Sequence, residues 1–167
     1  MPLNNYHIRS CWQVEATPEE LAEIAQDAEG FCRWWPATWL EARRLDSNPG
    51  IGPGSAAAYR VKGWLPYTIR FRSRIQHLEY PHRCTIQVSG DFEGRLVCEV
   101  QQLGRLCRVH FDWKVRVQKP VVRYLSFALK RVFRSNHLWV MSGGLESLKS
   151  ELVRRRLRRA ATRIPAL

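Results

Sequence analysis

The sequence predicts an α+β domain in which a curved, seven-stranded antiparallel sheet wraps around a long C-terminal helix. Three observations carry that prediction. Hydrophobic residues recur with a period of two in residues 5–15 and from residue 38 to residue 117, and with a period of 3.6 over 17–27 and beyond residue 120. Gly- and Pro-containing turns interrupt the alternating region at short intervals. Consecutive strands joined by short turns form a meander, and clean alternation leaves one of its faces wet.

The elements follow in order. In NYHIRSCWQVE, residues 5–15, Ile8, Ser10, Trp12 and Val14 share one face of a strand. TPEELAEIAQD then reads as a short helix over 17–27. Thr17 is its N-cap, Pro18 fits its first turn, and Glu20 completes a capping box. Gly30 is placed to end that helix, and Pro36 ends the segment after it. TWLEARRLD opens the alternating region, and DSNPGIGPG is a dense turn signal. Its glycines lack phosphate-loop spacing and no helix follows them, so it reads as a hairpin loop.

SAAAYRVKGW and YTIRFRSRIQHLEY form the next strands, separated at Leu65-Pro66. Ile69, Phe71 and Ile75 alternate with Arg70, Arg72 and Arg74, so one face is apolar and the other basic. RCTIQVSGDF, RLVCEVQQL and RLCRVHFDWKVRVQ complete the meander, with Gly94 and Gly104 as turn markers. In the last, Val109, Phe111, Trp113, Val115 and Val117 face inward; Arg108, His110, Asp112, Lys114 and Arg116 face outward. Asp112 therefore reads as a surface ion-pair residue.

Beyond Pro120 two helical stripes appear. One is Val122, Leu125, Leu129, Val132 and Phe133; the other is Leu138, Met141, Leu145, Leu148 and Leu152. The helix is expected to re-form near Ser135-Asn136. A helix over 136–158 would be about 34 Å long, enough to cross the sheet. Gly143-Gly144 in its middle costs about 1 kcal/mol per glycine relative to alanine. Close approach to the sheet, or room for a ligand, would compensate. The predicted domain is 1–158, followed by a basic tail, 159–167.

Composition narrows the function. At 45% hydrophobic and 25% charged residues, the 167-residue chain is globular and long enough to bury a core. No apolar run matches a signal peptide or a membrane span. The five cysteines, at 11, 32, 84, 98 and 107, form no CxxC pair. They are expected to be reduced and structural, which points to a cytoplasmic protein. The net charge is +12, and arginines cluster at 154, 155, 156, 158, 159 and 163. That cluster suits either a solvated helix end or an anionic membrane surface. Nucleic acid is disfavoured because the tail has no interleaved aromatics.

The segments VEATPEELAEIAQDAEGFCRWWP, GIGPGSAAAYRVKGWLPYTIRFRSRI, VSGDFEG, FDWKVRV and FRSNHLWVM together resemble the START-like, or SRPBCC, superfamily. Their order is similar to that of its bacterial branch of polyketide cyclase/dehydrase-like proteins. The resemblance spans residues 6–152. It implies a helix-grip fold with an apolar cavity between sheet and helix, but no single chemistry, because the superfamily mixes carriers, sensors and enzymes.

FCRWWPATW, residues 31–39, places Phe31, Trp34, Trp35 and Trp39 where an open end of the curved sheet would need a plug. The same rings serve equally as core and as cavity wall. The other expected cavity residues are Tyr59, Trp64, Tyr67, Ile69, Phe71, Phe111, Trp113, His137 and Met141. Tyr59 and Tyr67 offer hydroxyls that can orient a ligand carbonyl. His137 and His77 are the candidate catalytic bases, because an inward histidine in an apolar pocket stays neutral. No metal-binding spacing and no cofactor motif is present, and Cys32 reads as packed. The favoured function is binding of a small hydrophobic ligand such as a lipid, quinone or polyketide-like compound. Cyclase/dehydratase-type catalysis in the same cavity is the alternative, and a basic surface for anionic membrane or nucleic acid is the second.

Overall fold

The computed structural model describes residues 5–47, 50–118 and 130–162. Seven strands form one antiparallel sheet: β1 (Asn5–Glu15), β2 (Trp39–Arg44), β3 (Ala56–Lys62), β4 (Thr68–Glu79), β5 (Arg83–Gly90), β6 (Phe92–Leu103) and β7 (Leu106–Val117). Their order across the sheet is β1-β7-β6-β5-β4-β3-β2. The meander from β2 to β7 is therefore sequential, and β1 closes on its last strand, with Trp12 opposite Val109 and Ser10 opposite Phe111. Two short helices, α1 (Pro18–Gln26) and α2 (Phe31–Trp34), join β1 to β2. A 33-residue helix, α3 (Lys130–Thr162), lies against the concave face.

Local chemistry explains the first helix. The Thr17 hydroxyl accepts from the Glu20 N–H at 3.2 Å, and the Glu20 carboxylate accepts from the Thr17 N–H at 3.1 Å. Both orphan amino-terminal donors are thereby satisfied. Asp27, rather than Gly30, ends α1; Gly30 caps α2 at its amino end. The Asp27 carboxylate accepts from the Gly30 N–H at 3.0 Å, which ties the end of α1 to the start of α2.

Strand faces follow the alternation. In β4, Ile69, Phe71 and Ile75 are buried while Arg70, Arg72 and Arg74 are exposed. Two expectations fail. Gly94 does not mark a turn: it lies inside β6, opposite Val115, with φ of 151°. A side chain there would collide with the Lys114 carbonyl oxygen. Glycine is used for close backbone approach, and the actual turn falls at Gly90-Asp91. The break expected near Ser135 is also absent, because α3 runs continuously from Lys130. The stripe residues Val122, Leu125 and Leu129 lie outside the described residues, as does the end of the basic tail from Arg163 onward.

The core has two parts. Trp12, Val14, Leu21, Ile24, Trp34, Trp35, Cys107, Val109, Leu148 and Leu152 knit α1, α2 and the carboxy-terminal half of α3 to β1 and β7. Ile69, Phe71, Val88 and Val117 form a second cluster on the sheet, flanked by Tyr6, Tyr59, Tyr67, Ile86 and Trp113. Gly144 explains how the helix reaches the first cluster. A Cβ at this position would strike the Trp35 ring, whereas one at Gly143 would meet open space. The compensation for the helical glycine is contact with a plug tryptophan, not with the sheet.

Candidate ligand cavity

Between the sheet and α3 lies a cavity of about 460 Å³, lined overwhelmingly by apolar and aromatic side chains. The concave faces of the strands supply most of its wall because alternate residues of every strand point inward. Twelve of the expected residues border it: Phe31, Trp34, Trp35 and Trp39 of the plug, with Tyr59, Tyr67, Ile69, Phe71, Phe111, Trp113, His137 and Met141.

The aromatic plug is a continuous run of rings. Phe31 stacks on Trp39 at 4.6 Å, Trp39 meets Tyr59 edge-on at 4.9 Å, and Tyr59 lies 5.2 Å from Phe71. On the other side Trp34 stacks on Trp35 at 5.6 Å, Trp35 touches Trp12, and Trp12 meets Phe111 edge-on at 4.9 Å. Each ring is at once core and cavity wall. The indole N–H groups of Trp12, Trp34 and Trp39 are buried without an acceptor among the described residues. Each such donor costs about 1–3 kcal/mol.

Two expected residues are elsewhere. His77 faces solvent. A bulge between Ile75 and His77 shifts the β4–β5 register, so Leu78 takes the inward place and borders the cavity. The His77 side chain is 60% exposed and its Nε2 lies 2.8 Å from a Glu79 carboxylate oxygen. One extra residue reverses the parity on which its inward placement depended. Trp64 is 48% exposed and does not border the cavity. Its backbone is fixed instead: the N–H groups of Trp64 and Leu65 donate to the Asn136 side-chain oxygen, at 2.9 and 3.3 Å. The elbow therefore tethers the sheet to α3.

The polar groups at the wall are few. His137 is half-buried, and burial pushes its imidazole pKa below the usual value. Its Nε2 is hydrogen-bonded to the Ser10 hydroxyl at 3.1 Å. Ser10 was legible as a small polar residue on the apolar face of β1, but its partner, 127 positions away, was not. Burial raises the pKa of the Tyr59 phenol, and nearby Ser73 offsets part of that rise. Burial, with a contribution from nearby Tyr6, pushes Tyr67 up to about 12. Both phenols are therefore neutral donors at physiological pH. Burial also raises the thiols of Cys32 and Cys107 and moves Cys84 to about 11, so none has the lowered pKa of an activated nucleophile. Further wall residues absent from the sequence-based set include Tyr6, Thr38, Leu78 and Cys98. The inward parity of Tyr6 with Ile8 was the available signal.

Asp112 lies on the outer face, where its carboxylate meets His7 at 3.0 Å and Arg9 at 3.3 Å. Among the described residues, no three of His, Cys, Asp and Glu gather into a metal-binding group. Also among these residues, no helix is long and apolar enough to cross a membrane.

A seven-stranded antiparallel sheet gripping a long carboxy-terminal helix over an apolar cavity defines the START-like, helix-grip class of protein. The chain belongs to the family described as polyketide cyclase / dehydrase and lipid transport, whose model matches residues 7–153. Solved structures of the same fold include a Thermus thermophilus protein, with a TM-score of 0.72 at 14% identity, covering 90% of this chain and 99% of that one. An aromatase/cyclase from Streptomyces sp. R1128 aligns with a TM-score of 0.66 at 12% identity, over 90% of this chain and 95% of that one. A START superfamily protein from Mycobacterium smegmatis gives 0.63 at 16% identity, over 85% and 98%. At these identities the likeness concerns the fold. No functionally curated protein matches the sequence significantly.

Proposed function

We propose that the protein binds a small hydrophobic ligand, a lipid, quinone or polyketide-like compound, in the cavity between sheet and α3. The observation that carries this reading is the cavity itself: about 460 Å³ of space with an apolar wall. That volume falls within the range of small-molecule sites, which bury most of a ligand against apolar surface and orient it with few polar groups. Here the orienting groups are Tyr59, Tyr67 and His137, with Phe71, Phe111, Trp113 and Met141 providing contact area. His77 and Trp64 have no part in the site.

Native mass spectrometry of the purified protein should find a co-purifying apolar small molecule. Fluorescence titration with a fatty acid and with a naphthoquinone should show saturable binding of at least one. Ile86→Trp, which fills the wall between β4 and β6, should abolish it. No co-purified ligand and no saturable binding of either probe would reject the carrier reading.

The hydrogen-bonded His137–Ser10 pair favours a second reading, cyclase/dehydratase-type catalysis in the same cavity. A neutral imidazole at the wall can take a proton from an activated carbon of a bound ketide chain. His137→Ala should then abolish turnover of a poly-β-ketone substrate while leaving ligand binding in place; unchanged turnover removes His137 from that role.

A further inference from the structure

The arginine-rich end of α3 is not a free cationic tail. Arg154 and Arg155 donate to Glu151 at 2.6–2.7 Å, Arg33 of α2 donates to the same carboxylate at 3.0 Å, and Arg155 reaches Asp27 at 3.0 Å. Arg156 pairs with Glu20 at 2.7 Å and Arg159 pairs with Glu23. These bonds fasten α3 to α1 and α2, and they explain most of the cluster.

They do not explain all of it. An open groove of about 350 Å³ between α1 and α3 is bordered by Arg33, Arg154, Arg155, Arg158 and Arg159, with Glu23 and Asp27 as its acidic lining. Counting Glu151 beneath them, five guanidiniums face three carboxylates, an excess of two positive charges. The Arg158 side chain has no hydrogen-bond or ion-pair partner among the described residues, although it borders the groove. Arg154 and Arg158, like Arg155 and Arg159, are spaced i,i+4, where like charges repel along a helix. Planar guanidinium forks suit the oxygens of a phosphate, and a dianion would cancel the excess.

We propose that this groove is a binding site for a phosphate dianion, carried either by a soluble phosphorylated compound or by a phosphomonoester lipid headgroup. The site is separate from the cavity and does not depend on what the cavity holds. Arg158 is the group through which the bound anion adds a contact that the folded chain does not already make.

The test follows the arginine side-chain Nε–H resonances of the full chain by NMR at low salt while inorganic phosphate is added. Saturable shifts are expected at Arg158 and at Arg33, Arg154, Arg155 and Arg159, and affinity should fall about tenfold in Arg158→Gln. Arg158→Lys, which keeps the charge but loses the fork, should bind with intermediate strength. Arg95→Gln, on the exposed outer face of β6, removes the same charge and should leave affinity unchanged. In parallel, sedimentation with phosphatidylcholine vesicles containing phosphatidic acid separates the two sources. Arg158-dependent co-sedimentation identifies the headgroup; phosphate binding without co-sedimentation identifies a soluble compound. No saturable response to phosphate or vesicles, or equal losses in Arg158→Gln and Arg95→Gln, would overturn the proposal.

Discussion

The two halves of α3 meet the rest of the molecule in opposite ways. The carboxy-terminal half is bolted down. Leu148, Glu151 and Leu152 are each at most 4% exposed, and Glu151 accepts from three arginines. The amino-terminal half spans the cavity. Its described inward residues His137, Val140 and Met141 are only part-buried, and its sheet tethers include Asn136 to the β3–β4 elbow and His137 to Ser10. One helix thus acts as an anchor at one end and as a cavity wall at the other. The difference teaches that the void is maintained by rigidity elsewhere: a helix fixed by packing and charge at one end need not collapse onto the sheet at the other.

The strongest way to break this contrast is to remove the anchor. Glu151→Gln should destabilise the fold by about 2–3 kcal/mol, read as a drop in urea midpoint, because it leaves three clustered guanidiniums around a neutral group. Partial exposure of those arginines keeps the loss below that of a fully buried pair. The glycine pair gives a smaller test. Gly144→Ala should cost about 1–2 kcal/mol by overpacking against Trp35. Gly143→Ala, one residue away and facing open space, should stabilise by about 0.5–1 kcal/mol, and denaturant titration of both reads the sign change.

Titration separates the two halves further. Arg154 and Arg155 hold the Glu151 carboxyl at about 2, against an ordinary 4.5. A depressed carboxylate stabilises the fold fully above 4.5 and loses that contribution as pH falls towards 2. At His137 burial excludes the proton that the unfolded chain would take. Its contribution is therefore present above 6.5 and declines as pH drops below that value. In Glu151→Gln the low-pH loss should shrink; in His137→Gln the loss beginning below 6.5 should shrink instead. Urea midpoints across the acid range check both. The His137 effect is the smallest expected, because the group is only half-buried.

Much of the fold was legible because alternation is a direct record of burial. A sheet wet on one side must place apolar residues at every second position, and β4 and β7 do so over most of their length. The Thr17–Glu20 capping box was legible because its partners are three residues apart. The misplaced residues share a cause. His77 was assigned by parity, and parity fails beyond a bulge that no residue type announces. Trp64 is apolar and close to the cavity in sequence, yet the turn directs it outward, and Asn136, 72 positions away, fixes that turn.

The sequence by itself determined the order of the elements, the buried face of most strands and the presence of an aromatic segment before β2, because these depend on periodicity and on neighbours a few residues apart. Only the tertiary structure decided that α3 leaves space above the sheet, that His137 meets Ser10, and that Arg155, Arg156 and Arg159 pair with Asp27, Glu20 and Glu23. Those outcomes depend on groups more than 100 positions apart being brought within hydrogen-bonding distance, and no local pattern encodes that distance.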